Sequence, residues 1–396
     1  MNFELTEQQQ LLQQTVHDFA QAEITPGARE RDETGKFPHE LVPKMAELGL
    51  FGVMIPETYG GSGLDPMSFA IVIEEIARAD AAVALLLASH NSLCAGHIVL
   101  TGSEEQKRKH LPPLARGEKL GAWALTEPGS GSDAASLRTR AERRGDDWVI
   151  EGEKLFITQG SVAGTYVIMA RTGREHGAAT AERESDDRGI SAFIVERETT
   201  GLGIVRVEDK LGVRASDTAQ LRFDEMRVPK GNLLGDLNHG YKDVLSVLDG
   251  GRIGIGAMGV GIAQAALDQS IQYAKERKQF GKPIADFEAI QWKLADMATE
   301  IEAARLLVHR AAELKQRGDP FKRIASEAKL FASEVAMRAT TQAIQIHGGA
   351  GYMKDSPVQR YFRDAKLCEI GEGTSEIQRI VIAKELLQHS DGKVAT

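Results

Sequence analysis

The hydrophobic period changes twice along this chain, and that double switch limits the architectures open to it. From residue 5 to about 120, apolar side chains recur at helical spacing, as in Leu11, Leu12, Val16 and Phe19 and again in Leu41, Met45 and Leu48. Turn clusters interrupt them at Tyr59 to Gly63 and at Leu111-Pro112-Pro113. Between about 121 and 231 the texture becomes β-rich: short runs at 148–150, 166–169, 190–195, 204–207 and 219–223 are separated by Gly and charged turns. From about Asn238 onward, long stretches such as 289–315 and 321–346 carry an apolar stripe each. Helices, then sheet, then helices predicts an α+β chain. Its units are an amino-terminal helical domain over 1–120, a central β-barrel or sandwich over 121–232, and an antiparallel helical bundle over 233–396.

A length of 396 residues suits two or three domains, and 42% hydrophobic with 27% charged residues suits a large core. The net charge of −9 disfavours nucleic acid and anionic membrane as general partners. Cys94 and Cys368 are the two cysteines, too few for a disulfide scaffold and in keeping with a reducing compartment. The apolar stretch around 81–89 is far shorter than the ~20 residues of a membrane span. The opening MNFELTEQQQLL has neither a secretory nor a transit pattern, so a cytoplasmic location is expected, or the mitochondrial matrix for a processed eukaryotic protein. Residues 171–188 are charged, Ala/Gly-rich and aperiodic, and read as a mobile surface hairpin loop without a role in chemistry.

Gly254, Gly256 and Gly259 match the dinucleotide fingerprint, with Glu276 about twenty residues on. The fingerprint requires a strand before it, whereas Val244, Leu245 and Leu248 have helical spacing. These glycines are therefore expected to let a helix approach its neighbours. The turn from Trp123 to Asp133 is rich in small and hydroxyl residues and can present backbone N–H groups to an acceptor-rich ligand, although a plain tight loop has the same composition. Phe156, Ile157 and Thr158 set an aromatic and a hydroxyl on one strand, which suits a planar ring or an ordinary core. Glu372 lies between Gly371 and Gly373, ahead of a helix for which Ser375 and Gln378 predict a capping box. A carboxylate there is usually no more than dipole-complementary. The ten histidines show no metal-ligand spacing, and no metal is expected.

Taken together, these segments resemble the acyl-CoA dehydrogenase family over about 5–387. Ala124-Leu-Thr-Glu-Pro-Gly-Ser-Gly-Ser-Asp133 is one signature; Gln345, Gly348, Gly349, Gly351, Asp355, Arg360 and Asp364 form the other. Arg277-Lys-Gln-Phe-Gly281 and Glu372-Gly-Thr accompany them. The resemblance implies a carboxyl-terminal four-helix bundle and FAD as cofactor. The implied reaction is α,β-dehydrogenation of an acyl-CoA to a trans-2-enoyl-CoA, with an electron-transfer flavoprotein as acceptor. It further implies Glu372 as the base that removes the α proton. Trp123, Leu125, Thr126, Gly131, Ser132, Phe156, Ile157 and Thr158 would contact the flavin. Arg277, Gln279, Phe280, Gln345, Ile346, His347, Gly348 and Gly349 would hold the pyrophosphate and adenosine of FAD from a neighbouring subunit, so a homo-oligomer, usually a tetramer, is implied. Thr374, Ser375 and Glu376 also match FAD contacts, and Ser132, Asp249, Arg252 and Gly373 match the acyl-CoA side.

Four positions depart from the family pattern or separate its branches. Phe156 and Gln159 replace a more usual Trp and Asn, and Gly371 replaces a Tyr that walls the acyl cavity. Gly251 fills the position from which the isovaleryl and long-chain branches supply their base, so Glu372 stands alone. Overall similarity leans to short-chain and short-branched-chain members, hence to fatty acid β-oxidation or branched-chain amino acid catabolism. The stretch Asp80 to Ala84 has no Arg where the glutaryl branch binds its distal carboxylate. The rivals are an oxygen-reducing enzyme resembling acyl-CoA oxidase or nitroalkane oxidase, and a helical scaffold that has lost its chemistry.

Overall fold

A computed structural model describes residues 4–173 and 189–388. Most of the segment expected to be a hairpin loop, from residue 174 to 188, lies outside the described residues. The amino-terminal helices are α1 (Glu7–Phe19), α2 (Ala28–Thr34), α3 (Leu41–Glu47), α4 (Pro66–Ala79), α5 (Ala81–Ala88), α6 (Gly96–Thr101) and α7 (Glu104–Ala115). Their starts are coded locally. Thr6 with Gln9 and Ser103 with Gln106 form capping boxes, and Asp65 accepts from the Ser68 amide ahead of Pro66. Pro112 and Pro113, read from sequence as a turn, instead sit inside the last turn of α7, where they leave the carbonyls of Arg108 and Lys109 without their helical N–H donors.

A π-helical turn, Ser89–Ala95, joins α5 to α6, so helix runs without a break from 81 to 101. That is longer than the apolar stretch alone indicates. This run and Gly240–Glu276 are both long and apolar enough to cross a membrane, yet 83% and 78% of their most apolar windows are buried inside the protein.

The central sheet consists of β1 (Gly121–Ala124), β2 (Arg140–Arg144), β3 (Asp147–Thr158), β4 (Thr165–Arg171), β5 (Ile190–Glu196), β6 (Leu202–Val207), β7 (Thr218–Pro229) and β8 (Leu233–Leu234). The order is β6-β7-β3-β2-β4-β5-β8, with β1 added in parallel beside β4. The pairings are antiparallel except β1–β4 and β2–β4. Two bulges mark the β3–β7 ladder. Asp224 and Glu225 oppose Glu151 alone between the pairs Ile150–Met226 and Gly152–Phe223. Leu155 and Phe156 oppose Gln220 alone between Lys154–Leu221 and Ile157–Ala219. Glu225 and Phe156 take positive φ, 43° and 59°, as residues that absorb an extra position in a strand do.

The carboxyl-terminal bundle is built from α8 (Gly240–Glu276), α9 (Glu288–Arg317), α10 (Lys322–His347) and α11 (Pro357–Ile370), with α12 (Ser375–Gln388) laid on α10. Between α8 and α9 a small hairpin pairs β9 (Lys278–Gln279) with β10 (Lys282–Pro283). The G-x-G-x-x-G run lies in the middle of α8 with no strand before it. A Cβ at Gly256 would stand 3.0 Å from Val308 of α9, and one at Gly259 would stand 3.1 Å from the Ala332 carbonyl of α10. At Gly261 it would reach 2.3 Å from the Glu74 carbonyl of α4. The glycines are the seam along which α8 meets three neighbours. One core joins this bundle to α4 and α5, a second fills the sheet interior, and a third, including Trp123, Leu125, Val167 and Val247, seats the sheet on the helices.

Candidate active site

The turn between α11 and α12 carries Glu372. Helix α11 ends at Gly371, whose N–H donates to the Leu367 carbonyl at 2.8 Å. Glu372 and Gly373 then both take positive φ, 53° and 97°, reversing the chain within two residues. The expected Ser375–Gln378 capping box does not form. Thr374 supplies the cap instead, its hydroxyl accepting from the Ile377 amide at 3.3 Å. Gln378 is drawn inward by the unpaired carbonyls of the turn. Its Nε2 donates to Glu372 O at 3.3 Å and to Gly373 O at 3.0 Å. Lys329 Nζ, from α10, donates to the same Gly373 oxygen at 2.6 Å.

The Glu372 carboxyl points at α8. A Cβ on Gly251 would stand 2.0 Å from Oε2, so the glycine is what leaves room for the carboxyl. Oε2 is enclosed and accepts no hydrogen bond from the described residues. Burial pushes this carboxyl up to about 7, while Lys329, Arg252 and Lys315 pull the other way. A carboxylate poised near neutrality, without a competing hydrogen bond, is suited to take a proton from a weak acid. Leu93, on the π-helical turn, faces the same space, 3.2 Å from the position of that Cβ.

Asp249 and Arg252 lie one turn apart on α8. Arg252 Nη1 donates to Asp249 Oδ1 at 2.5 Å and to Ser326 Oγ at 3.1 Å, and the guanidinium is buried. On the neighbouring face of α8, Val247 and Gly250 line a cavity of about 290 Å³, closed by Ser92, Val99, Leu100 and Lys315. A larger cleft of about 1030 Å³ runs elsewhere, between α3, the end of α7 and the β4 edge, and includes none of the candidate residues.

The sheet places the second group of candidates together. Leu155 N donates to Thr126 O at 2.8 Å, tying the turn after β1 to the bulged end of β3. Lys154, fully buried, donates to Leu125 O at 2.9 Å and to Glu127 Oε1 at 2.8 Å. Glu127 in turn accepts from the amides of Arg138 and Thr139, which fixes the loop carrying Gly131 and Ser132. Trp123 Nε1 donates to His97 Nδ1 at 3.1 Å. Burial pushes His97 down to about 4, so it is neutral and able to accept. Phe156 is 60% exposed, swung off the sheet by its bulge, whereas Ile157 beside it is buried. A Cβ at Gly129 or Gly131 would meet nothing within 4 Å. Gln159 is buried with both amide atoms unpartnered among the described residues. An aromatic ring offered to solvent, open glycine amides and an unsatisfied buried amide fit a planar, hydrogen-bonding ring such as a flavin.

The third group is remote. Arg277 follows α8, and at 1.5 Å per residue it lies about 39 Å from Gly251. Arg277, Gln279 and Phe280 are exposed, Phe280 to 93%. The segment from Gln345 to Gly349 joins them there. His347 stacks on Tyr273 with centroids 4.2 Å apart, and Arg277 N donates to Tyr273 O. One chain thus keeps Arg277–Phe280 and Gln345–Gly349 at one end of the bundle and Glu372 at the other. Among the described residues no cluster of three or more His, Cys, Asp or Glu could hold a metal ion.

Comparison with known proteins decides what such a site belongs to. Models of the acyl-CoA dehydrogenase N-terminal, middle and C-terminal domains match residues 6–118, 122–226 and 238–387. The chain belongs to the acyl-CoA dehydrogenase family. The Bacillus subtilis protein YngJ, a probable acyl-CoA dehydrogenase by name, is 54% identical over 98% of this chain and all of its own. Butyryl-CoA dehydrogenase of Megasphaera elsdenii superimposes with a TM-score of 0.94 at 44% identity, over 98% of this chain and 100% of that one. A chain solved in work on the electron transferring flavoprotein of Acidaminococcus fermentans matches with a TM-score of 0.94 at 45% identity and the same coverage. This dehydrogenase is an FAD-dependent oxidoreductase acting on the CH–CH bond of an acyl-CoA.

Sequence reasoning missed Lys329, His97 and the pairing of Lys154 with Glu127, and it read Gln378 as a capping residue where its amide instead donates to the turn carbonyls. One signal was available. Lys329 falls in phase with Ala325, Ala328, Ala332 and Ala336, the buried face of α10, and a lysine in an alanine stripe asks for a partner.

Proposed function

We propose that this acyl-CoA dehydrogenase oxidises a short acyl-CoA, of four to five carbons, and passes its electrons to an electron-transfer flavoprotein. The observation that carries the reading is the Glu372 carboxyl, whose Oε2 is enclosed, accepts no hydrogen bond from the described residues and is seated against Gly251. An α C–H is a weak acid, so its removal needs a base near its working pH and a polarised thioester carbonyl. Glu372 takes the proton, and a backbone N–H of the turn whose Gly373 carbonyl Lys329 and Gln378 hold orients the thioester carbonyl. Bound FAD supplies the two-electron acceptor for the hydride leaving the β carbon. Trp123, Leu125, Thr126, Gly131, Ser132, Phe156, Ile157 and Thr158 bind and orient the flavin, with Thr374, Ser375 and Glu376 beside them. Ser132, Asp249, Arg252 and Gly373 serve the acyl-CoA.

Arg277, Gln279, Phe280 and the segment Gln345, Ile346, His347, Gly348 and Gly349 complete the FAD site of a neighbouring subunit. Their separation from Glu372 along α8 and the exposure of Phe280 support a homotetramer. The short-chain reading is supported by the butyryl-CoA relative. Gly371 leaves open space where a larger side chain would stand, with no atom nearer than 3.4 Å to its Cβ position. The units 1–120, 121–232 and 233–396 are the working domains, and the cytoplasm is the working location.

A panel of acyl-CoAs from C4 to C16, including isobutyryl and 2-methylbutyryl, tests the substrate. kcat/KM should peak at four to five carbons, each methylene changing it by roughly 1–3 kcal/mol. A maximum at twelve or more overturns the short-chain reading. Steady peroxide release equal to substrate consumed would replace the flavoprotein acceptor with oxygen.

A further inference from the structure

Lys329 is fully buried on the inward face of α10, among alanines. An ammonium group in such a place is strongly disfavoured unless it is partnered. Its partner is the Gly373 carbonyl at 2.6 Å, and among the described residues no carboxylate lies within 4 Å of Nζ. Gln378 already donates to that carbonyl. A neutral donor therefore makes the same bond from α12, and the hydrogen bond alone does not account for a charge on α10.

The surroundings of Glu372 account for it. Three cations face that carboxyl: Arg252 from α8, Lys315 from α9 and Lys329 from α10. Arg252 is compensated by Asp249 at 2.5 Å. On α11, Cys368 is buried with its thiol pushed up to about 12, and Glu369 pairs with Lys366 at 2.5 Å. The charge at Lys329 thus acts on Glu372 without a counter-ion of its own, and it is fixed in place by the backbone it holds.

We propose that Lys329 is a positioning residue for the α-proton base: it clamps the Gly373 carbonyl and sets an uncompensated positive charge beside the Glu372 carboxylate. This rests on Glu372 being the base. The clamp fixes the two left-handed residues that aim the carboxyl, and the charge favours its ionised, proton-accepting form over the neutral one. Burial holds the Lys329 ammonium down at about 8, so it stays protonated through the range in which Glu372 must ionise.

The test isolates proton removal from hydride transfer. Acetyl-CoA has α hydrogens and no β carbon, so deuterium uptake from D₂O by acetyl-CoA on the holoenzyme reports the base alone. Flavin bleaching with butyryl-CoA under anaerobic conditions reports the full half-reaction. In Lys329→Met the acid limb of both should move up by about one pH unit, with exchange at pH 6.5 falling roughly tenfold. Gln378→Leu removes a neutral donor from the same carbonyl and should lower the rate at every pH without moving the limb. FAD content should be unchanged in both.

An unmoved limb in Lys329→Met, or an equal shift in Gln378→Leu, overturns the proposal. If Lys329→Met does not fold, Lys329→Gln keeps a donor while dropping the charge, and the same upward shift is required of it. Glu372→Gln separates the two readings. Exchange persisting in that variant removes Glu372 as the base. Exchange lost there but insensitive to Lys329 removes only the role given to Lys329.

Discussion

Moving the base from the α11–α12 turn to α8 is the sharpest test of the active site. Glu372→Gln keeps the shape of the side chain and removes the proton acceptor. Loss of a positioned base should slow flavin bleaching by roughly 10²–10⁴-fold, or about 2.7–5.4 kcal/mol of barrier. The structure also dictates how a rescue must be built. Because a Cβ at Gly251 would stand 2.0 Å from Glu372 Oε2, a second carboxylate at 251 and the side chain at 372 claim the same volume. Gly251→Glu in the Glu372→Gln background should therefore fail by crowding. Glu372→Gly with Gly251→Glu should work, since glycine accepts the 53° φ of that position and vacates the space. A carboxylate displaced by about 1 Å loses roughly 10²-fold, so the double variant should recover to within about that factor of the unaltered enzyme. The assay is anaerobic mixing with butyryl-CoA, following flavin absorbance, with FAD and ligand binding measured separately. Near-normal bleaching in Glu372→Gln refutes the assignment. A double variant no faster than Glu372→Gly refutes the shared volume as the reason for Gly251.

Three further outcomes follow from the same geometry. The bleaching rate should rise with pH through about 7, because burial raises the Glu372 carboxyl to that value and only the carboxylate accepts the proton; a rate flat from pH 5.5 to 8 contradicts it. Arg277→Ala should weaken FAD retention by about 1.5–3 kcal/mol, the scale of a charged hydrogen bond, as read by flavin release on dilution; unchanged affinity removes Arg277 from the cofactor site. Asp364 is buried, accepts from Val213 N at 2.6 Å and has its carboxyl pushed up to about 7. Its folded value lies above the ordinary one, so its contribution to stability is complete below about 4 and is lost as pH rises through about 7. In denaturant titrations at several pH values, Asp364→Asn should flatten that dependence, whereas Asp364→Ala should cost about 1–3 kcal/mol by stranding the Val213 amide.

The order of helices and strands was legible because it depends on hydrophobic period, a property each segment carries alone. The packing role of Gly254, Gly256 and Gly259 was legible too, through the absence of a strand before them. What sequence could not supply was the content of turns and bulges. The cap at α12 went to Thr374 because Gln378 was drawn to the carbonyls of Glu372 and Gly373, and that competition exists only once the chain has reversed. The length of helix through Ser89–Ala95 was hidden by polar residues such as His90, Asn91 and Ser92, which the fold buries. Lys329 and the Lys154–Glu127 pair were visible as letters, yet their partners stand 44 and 27 residues away. No local pattern links them.

The two bulges in the β3–β7 ladder have opposite senses. One adds a residue to β7 and the other adds a residue to β3, so the displacement between strands exists only from Gly152 to Lys154 and is cancelled before Ile157. Asp147 still faces Pro229, and Thr158 still faces Thr218. The sheet can therefore present the Phe156 ring without altering the connections at either end of these strands. Deleting Phe156 alone would remove that bulge, with Leu155 opposite Gln220 and Ile157 still opposite Ala219 and facing inward. Deleting Glu225 alone would do the same at the other bulge, leaving Asp224 opposite Glu151. Removing both would leave a continuous ladder and a foldable sheet, but one with no ring standing off its face.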